Sequence, residues 1–477
     1  MQPAGPVRHI TLMIALIAVT EAILAIDFAM VSVALPAIGK AFALRPAVLH
    51  WVVSAYSLAF GGLLIVGGRL SDLLGERRCF IVGAGFFAIG ALGCALAPSI
   101  WLLVAARVVE GAGASVLMPA ALSLVGSSFL TQEVRLRAMT IVMIGQCLAA
   151  SLGHVIGGIA VAEHGWKGIF VLLFMATIGI LIGAIFILRR RKKPARSVQA
   201  IHWGEAVFVT AGSALLVWSL AAIAAEGLDA PLPQIIGFCV SVVLLVLFAL
   251  LQRVTTAPII PLAVLGRPNL LGGIIAGALN AAASAAFLVL VNITLQRGLT
   301  LTPIQSGLML LPYGFGALVT GFVVRRLSGR FAARPRVGLT VSLLMVAGCA
   351  LFLSFLTTAS PLAFVAPIFL VGVGTVIGLS VAASESYRGV QPGENGIAAG
   401  LVHMARIIAI AIGVSIALSA LHVPFLSAAG AIPLQTFSLS YRLAALYCFI
   451  GVLVVQMLIR SGAEMGRAPV ISVSEPQ

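Results

Sequence analysis

Apolar stretches of at least about 17 residues recur along this chain, each closed by a charged or Pro/Gly-containing break. The pattern predicts fourteen membrane-spanning helices, at 10–35, 48–68, 79–97, 100–125, 138–161, 167–188, 203–225, 233–252, 270–295, 303–323, 336–357, 360–383, 396–420 and 441–459. The predicted fold class is therefore an all-α integral membrane protein. The first stretch is too long for the apolar core of a cleaved leader and contains Glu21 and Asp27, so it counts as the first span.

Composition agrees. Of 477 residues, 61% are hydrophobic and 9% charged, against about 25% charged in ordinary soluble domains. The net charge of +15 changes the picture only once it is mapped. If the N-terminus is cytoplasmic and loops alternate sides, 22 Lys and Arg fall on the cytoplasmic side, 5 on the other and 2 within spans. One missed span would scramble that asymmetry, so it supports the count and places both termini in the cytoplasm. The basic charge is a topology signal, and no nucleic acid is needed to explain it. The run RRRKKPARS after the sixth span (Arg189–Ser197) reads first as a topology anchor and second as a holder of anionic lipid headgroups. Six scattered cysteines have no metal-ligand or CxxC spacing, which makes them small buried hydrophobes.

An internal echo divides the chain. The second span ends GGRLSDLLGERR (Gly67–Arg78) and the tenth ends GFVVRRLSGRF (Gly321–Phe331). Related halves are frequent in transporters, with the substrate between them. The predicted units are an N-terminal six-helix bundle (1–188), a basic cytoplasmic connector (189–202), an inserted two-helix hairpin (203–252), a C-terminal six-helix bundle (253–460) and a disordered tail (461–477).

The fourth span carries the most informative chemistry. In IWLLVAARVVEGAGASVLMPAALSL (Ile100–Leu124), Arg107 and Glu110 lie one turn apart on one face. Each ionisable group at mid-membrane costs roughly 2.5–3.5 kcal/mol even on lenient scales. Such residues persist facing protein or water, either as a structural ion pair or on an ion or substrate pathway. At about 1.5 Å per residue, Asp27 lies roughly 12 Å deep, and Arg107 and His154 roughly 10 Å. Glu110 is one turn further in. Residues from three spans thus share a level, which suggests that Asp27 and Glu110 exchange protons while Arg107 pairs with whichever is ionised. Glu110 serves alternatively as a recognition group for a cationic substrate, or as balance for Arg107. Glu21, six positions from Asp27, is about 240° around the helix and faces another neighbour. His154 reads as a structural residue or as a proton relay.

Several motifs together resemble the major facilitator superfamily, and within it the fourteen-span drug:proton antiporters. The loop after the second span is similar to G-x-L-a-D-r-x-G-r-r through Gly68, Leu70, Asp72, Gly75 and Arg77. The fourth span resembles R-x-x-Q-G-x-G-a through Arg107, Gly111 and Gly113, with Glu110 in place of Gln. The fifth is similar to the antiporter signature ending G-P-x-x-G-G through Gly145, Gly153, Gly157 and Gly158, with His154 in place of Pro. IDFAMVSVALP in the first span matches L-D-x-t-i-v-n-v-A-L-P at Asp27 and Pro36. The resemblance covers nearly the whole chain and implies efflux from the cytoplasm driven by proton entry. Protons are then the coupling ion, and no cofactor is expected.

On that reading, Gly68, Asp72, Gly75 and Arg77 form a cytoplasmic gate, Asp72 binding a helix N-terminus or a loop arginine when the protein opens outward. The four glycines of the fifth span serve close helix contact. Candidate substrate contacts are Glu21, Phe28, Trp51, Tyr56, Asn280, Ser284, Asn292, Phe315, His403 and Arg406. Few acids face the predicted cavity, which favours neutral, zwitterionic or monocationic amphiphiles. An alternative is a proton-coupled exporter of one endogenous metabolite or amphiphilic acid, with Arg107 or Arg406 meeting its anionic group. Neither HExxH nor GxSxG occurs, so transport is expected and catalysis is not. The expected setting is a monomer in the lipid bilayer of a bacterial inner membrane, acting on a small molecule.

Overall fold

The structure, a computed structural model, describes residues 5–42, 46–128, 132–188, 203–226, 232–255, 258, 267–356, 360–388, 390–391, 394–418 and 433–459. Every regular element among them is helical: α1 (Gly5–Ala41), α2 (Pro46–Leu74), α3 (Glu76–Leu96), α4 (Ile100–Ser128), α5 (Gln132–Ile187), α6 (Trp203–Glu226), α7 (Leu232–Val254), α8 (Pro268–Ile293), α9 (Pro303–Met309), α10 (Leu311–Ala333), α11 (Pro335–Ser354), α12 (Val365–Ser386), α13 (Asn395–Leu418) and α14 (Ser438–Leu458), with short π and 3-10 turns between some of them. The predicted connector 189–202 and tail 461–477 lie outside the described residues.

Twelve helical stretches among the described residues are long and apolar enough to cross a bilayer. One runs from Glu133 to Ile187 and has 55 residues. As a straight rod it would reach about 80 Å, far beyond the ~30 Å hydrocarbon core. It is broken at Gly165, where φ of 69° puts the backbone in the left-handed region that glycine adopts without a Cβ clash. The break falls between the predicted fifth and sixth spans. The shorter apolar helix Gly204–Leu216 lies within α6.

Helix neighbours repeat a pattern. In the first half α1 packs along α5, and α4 against α2 and α3; in the second, α8 packs on α12 and α13, and α11 on α12 and α14. Two seams join the halves: α2 against α13, and α5 against α10 and α12. The second long helix of each half thus packs on the fifth of the other. Helices α6 and α7 pair with each other, and α6 touches both α2 and α13.

Small residues make these approaches possible. A Cβ on Gly145 would lie 2.9 Å from the Ala18 carbonyl oxygen, one on Gly153 2.6 Å from the Ala29 Cβ, and one on Gly157 2.9 Å from the Met30 Cα. These three therefore seat α1 on α5, as small residues do between helices in lipid. Gly158 differs: nothing lies within 4 Å of a Cβ built there.

Candidate functional site

The packing of α4 against α2, with α1 beside them, brings Asp27 and Arg107 together where neither side chain is exposed. Arg107 donates from Nη1 to Asp27 Oδ1 at 2.8 Å and to Glu110 Oε2 at 2.7 Å. Its Nε donates to the Val52 carbonyl oxygen at 3.2 Å. The guanidinium stacks over the Tyr56 ring, 4.3 Å from its centroid, with the Phe170 ring 6.0 Å away. All three charged side chains are fully buried. The Cys94 thiol approaches Glu110 Oε2 at 3.7 Å.

Two carboxylates thus share one guanidinium nitrogen. Arginine suits this place because its planar fork stays charged and serves several acceptors at once. The cluster is incompletely satisfied: Asp27 Oδ2, Glu110 Oε1 and Arg107 Nη2 are buried without a hydrogen-bond partner. Unmet capacity of that kind is costly in an apolar interior.

His154 lies apart from this cluster. Its Nδ1 meets the Ala150 carbonyl oxygen of its own helix at 3.3 Å, and its Cβ is 3.5 Å from where a Cβ on Gly307 would sit. No hydrogen bond or ion pair connects it to Asp27, Arg107 or Glu110.

Glu21 faces elsewhere, as its angle around α1 requires. Gln146 Nε2 on α5 donates to Glu21 Oε2 at 3.5 Å, and Gln146 Oε1 accepts from Arg406 Nη2 on α13 at 3.0 Å. This chain crosses from one half to the other. Gln146 was not among the sequence candidates, although an amide in the middle of an apolar helix is itself a signal.

At one end of the bundle Asp72 clasps the opposite half. Its Oδ1 accepts from the Gly396 N–H at 2.7 Å and its Oδ2 from the Ile397 N–H at 2.8 Å, in the first turn of α13. A carboxylate there fills orphan donors and meets the positive end of the helix dipole. Gly68 and Gly396 allow this contact, since a Cβ on either would collide with the other's carbonyl oxygen. Gly75, at φ 98°, ends α2 and starts α3. Arg77 turns away from Asp72 and caps the end of α5, donating to the Leu188 and Ile185 carbonyl oxygens at 2.6 and 3.2 Å. On the other seam Arg135 donates to the Tyr387 carbonyl oxygen at 3.0 Å. There Ser328 Oγ also donates to Glu133 Oε1 at 3.0 Å and accepts from Arg137 Nε at 3.1 Å.

Other candidates are not brought to the buried cluster. Asn280 donates to Ser342 Oγ on α11, and Ser284 Oγ accepts from Thr375 on α12 at 2.7 Å. Asn292 accepts from Gln296 one turn on, at 3.0 Å. Phe28, Trp51 and Phe315 are exposed, Phe315 at 59%. Phe315 lines a shallow apolar hollow with Pro312, Leu362 and Phe369. No group of three or more His, Cys, Asp or Glu among the described residues is arranged to hold a metal.

Comparison with known proteins agrees with this architecture. Residues 17–414 match the Major Facilitator Superfamily. The lincomycin resistance protein of Streptomyces lincolnensis is 30% identical over 94% of this chain and 91% of its own length. The cephamycin export protein of Amycolatopsis lactamdurans is 31% identical over 82% of this chain and 81% of its own. Among solved structures, the human organic anion transporter MFSD10 (TETRAN) superposes with a TM-score of 0.65 over 95% of this chain and 100% of that one, at 16% identity. A match across most of its length, with paired half-bundles to go with it, makes this chain a member of the major facilitator superfamily.

Proposed function

We propose that this protein exports amphiphilic drugs or other toxic small molecules from the cytoplasm by proton-coupled alternating access. The observation that carries the reading is the Asp27–Arg107–Glu110 cluster, two fully buried carboxylates on one guanidinium. A proton arriving on either carboxylate cancels its charge and leaves Arg107 to the other. Asp27 belongs to α1 and Glu110 to α4, so each transfer changes the force between two helices that pack along the seam helices α5 and α2. Relatives named for lincomycin resistance and cephamycin export support the direction of transport.

The Asp72 clasp belongs, by charge asymmetry, to the cytoplasmic end. Its closure corresponds to a protein open outward, and substrate loading requires it to part from α13. The same reading counts fourteen spans, taking α5 as two and α6 as one. It places both termini in the cytoplasm and the basic connector 189–202 between a six-helix bundle (1–188) and an inserted hairpin (203–252). The C-terminal bundle is 253–460, and the protein works as a monomer in the bacterial inner membrane, with protons as its coupling ion.

The test is transport in proteoliposomes under an imposed pH gradient, with ethidium as the reporter. Wild-type protein moves the dye only with the gradient, and Asp27→Asn, still monodisperse in detergent, does not. Dye movement indifferent to the gradient in the wild type overturns proton coupling, and wild-type rates in the variant remove Asp27 from it.

A further inference from the structure

Glu21, Gln146 and Arg406 form a second polar constellation, separate from the Arg107 cluster and lying across the seam between the halves. Glu21 is fully buried on α1, and no direct ion pair joins it to Arg406. The Gln146 amide stands between them, donating to the acid at 3.5 Å and accepting from the base at 3.0 Å. An amide answers each charge with only a partial one. Glu21 Oε1 and Arg406 Nε remain buried without hydrogen-bond partners, and so does Nε2 of His403, one turn before Arg406 and 3% exposed. A fixed acid and a fixed base, kept from direct contact and each with an open polar atom, match a guest bearing both charges. An acid and a base bridged by a single amide in a low-dielectric interior favour a dipolar ligand over either single ion, because a lone ion neutralises one group and leaves the other to its own burial cost.

We propose that Glu21 and Arg406 hold the cationic and anionic ends of a zwitterionic amphiphile, which displaces Gln146 from between them. Arg406 presents the fork that suits a carboxylate, and Glu21 takes an ammonium or iminium. Helix α13, which carries Arg406, is the one that Asp72 clasps at its first turn, so a guest at this site pulls on an element that the gate also holds. The inference rests on the export reading and names its substrate class.

Rhodamine B carries a xanthene cation and a free carboxylate, its ethyl ester only the cation, and fluorescein only negative charge. Fluorescence polarisation with the purified full chain in nanodiscs is expected to give rhodamine B at least tenfold tighter binding than the ester, and fluorescein weaker binding than rhodamine B. Arg406→Gln should bring rhodamine B and its ester within twofold of one another. Glu21→Gln should weaken both. Arg406→Lys, which keeps the charge should the glutamine variant fail to fold, should retain part of the preference. A wild type that binds rhodamine B no better than the ester, or a preference unchanged in folded Arg406→Gln, overturns the site. Transport separates this from the export reading. Gradient-driven movement of the ester without any Arg406-dependent preference leaves export standing and removes the zwitterion site. An Arg406-dependent preference in binding with no gradient-driven movement of either dye keeps the site and removes proton-coupled export.

Discussion

The Asp72 carboxylate of α2 accepts hydrogen bonds from the backbone N–H groups of Gly396 and Ile397, at 2.7 and 2.8 Å, and thereby caps a helix of the opposite half. One side chain thus joins two packed groups of helices that the proposed alternating access requires to separate. A charge-assisted bond to a helix N-terminus is strong enough to bias a two-state equilibrium and weak enough to break in every cycle.

Replacing that carboxylate should shift the equilibrium. Asp72→Ala forfeits two charge-assisted bonds, each worth about 1.5–3 kcal/mol, so the clasped end should open in a large share of molecules. Spin labels at Leu74 and Gln391, with the native cysteines replaced, should report a longer and broader distance distribution than in the wild-type background. An unchanged distribution would mean that the clasp does not hold this end shut.

Arg107 is the centre of its cluster, and its loss should cost more than that of either acid. Arg107→Met leaves two carboxylates buried without a counter-charge, and removing one partner of a buried pair typically costs 3–5 kcal/mol. Its thermal unfolding in detergent should fall well below that of Asp27→Asn, in which Arg107 still holds Glu110. Arg107→Lys keeps the charge but gives up the fork that reaches Val52, Asp27 and Glu110 together. It should lie between the two. Equal stability of all three variants would remove Arg107 from its central role.

Among the described residues, His154 bonds only the carbonyl of its own previous turn. His154→Gln should therefore leave the gradient-driven transport rate within about twofold of wild type. A loss as deep as that of Asp27→Asn would instead establish it as part of the proton path.

The glycines of α5 provide an internal contrast. Gly153→Ala places a methyl 2.6 Å from Ala29, whereas Gly158→Ala meets nothing within 4 Å. Overpacking of the first kind typically costs about 1–3 kcal/mol, and a change in open space less than about 0.5. Melting temperatures of the two variants should separate accordingly, and identical values would mean that α1 and α5 have slack at this level.

The hydrophobic pattern by itself determined where the long apolar helices fall, including the break near Gly165, since burial in lipid demands long uninterrupted apolar runs. It did not determine their ends: α1 and α2 run up to six residues past the predicted limits, and α10 continues to Ala333, ten residues beyond its predicted span. Height along an axis was legible too. An α-helix rises a fixed distance per residue, which put Asp27, Arg107 and Glu110 near one level, and they do meet. The same argument put His154 at that level, and it lies apart, because equal height does not decide which way a side chain turns. The angle between Glu21 and Asp27 likewise showed that they look in different directions. Tertiary structure alone decided what each group meets across a helix boundary. Which helices adjoin depends on small residues on distant elements, such as Gly145 and Gly153 beneath α1 or Gly68 against Gly396, and on how far they let the backbones approach. That packing chose the first turn of α13 for Asp72, the end of α5 for Arg77, and Gln146 as the amide between Glu21 and Arg406. It also turned Asn280 and Ser284 into the C-terminal bundle and left Phe28, Trp51 and Phe315 on exposed faces. Sequence position reports height along an axis, whereas rotation about that axis acquires a meaning only when a second helix packs against it.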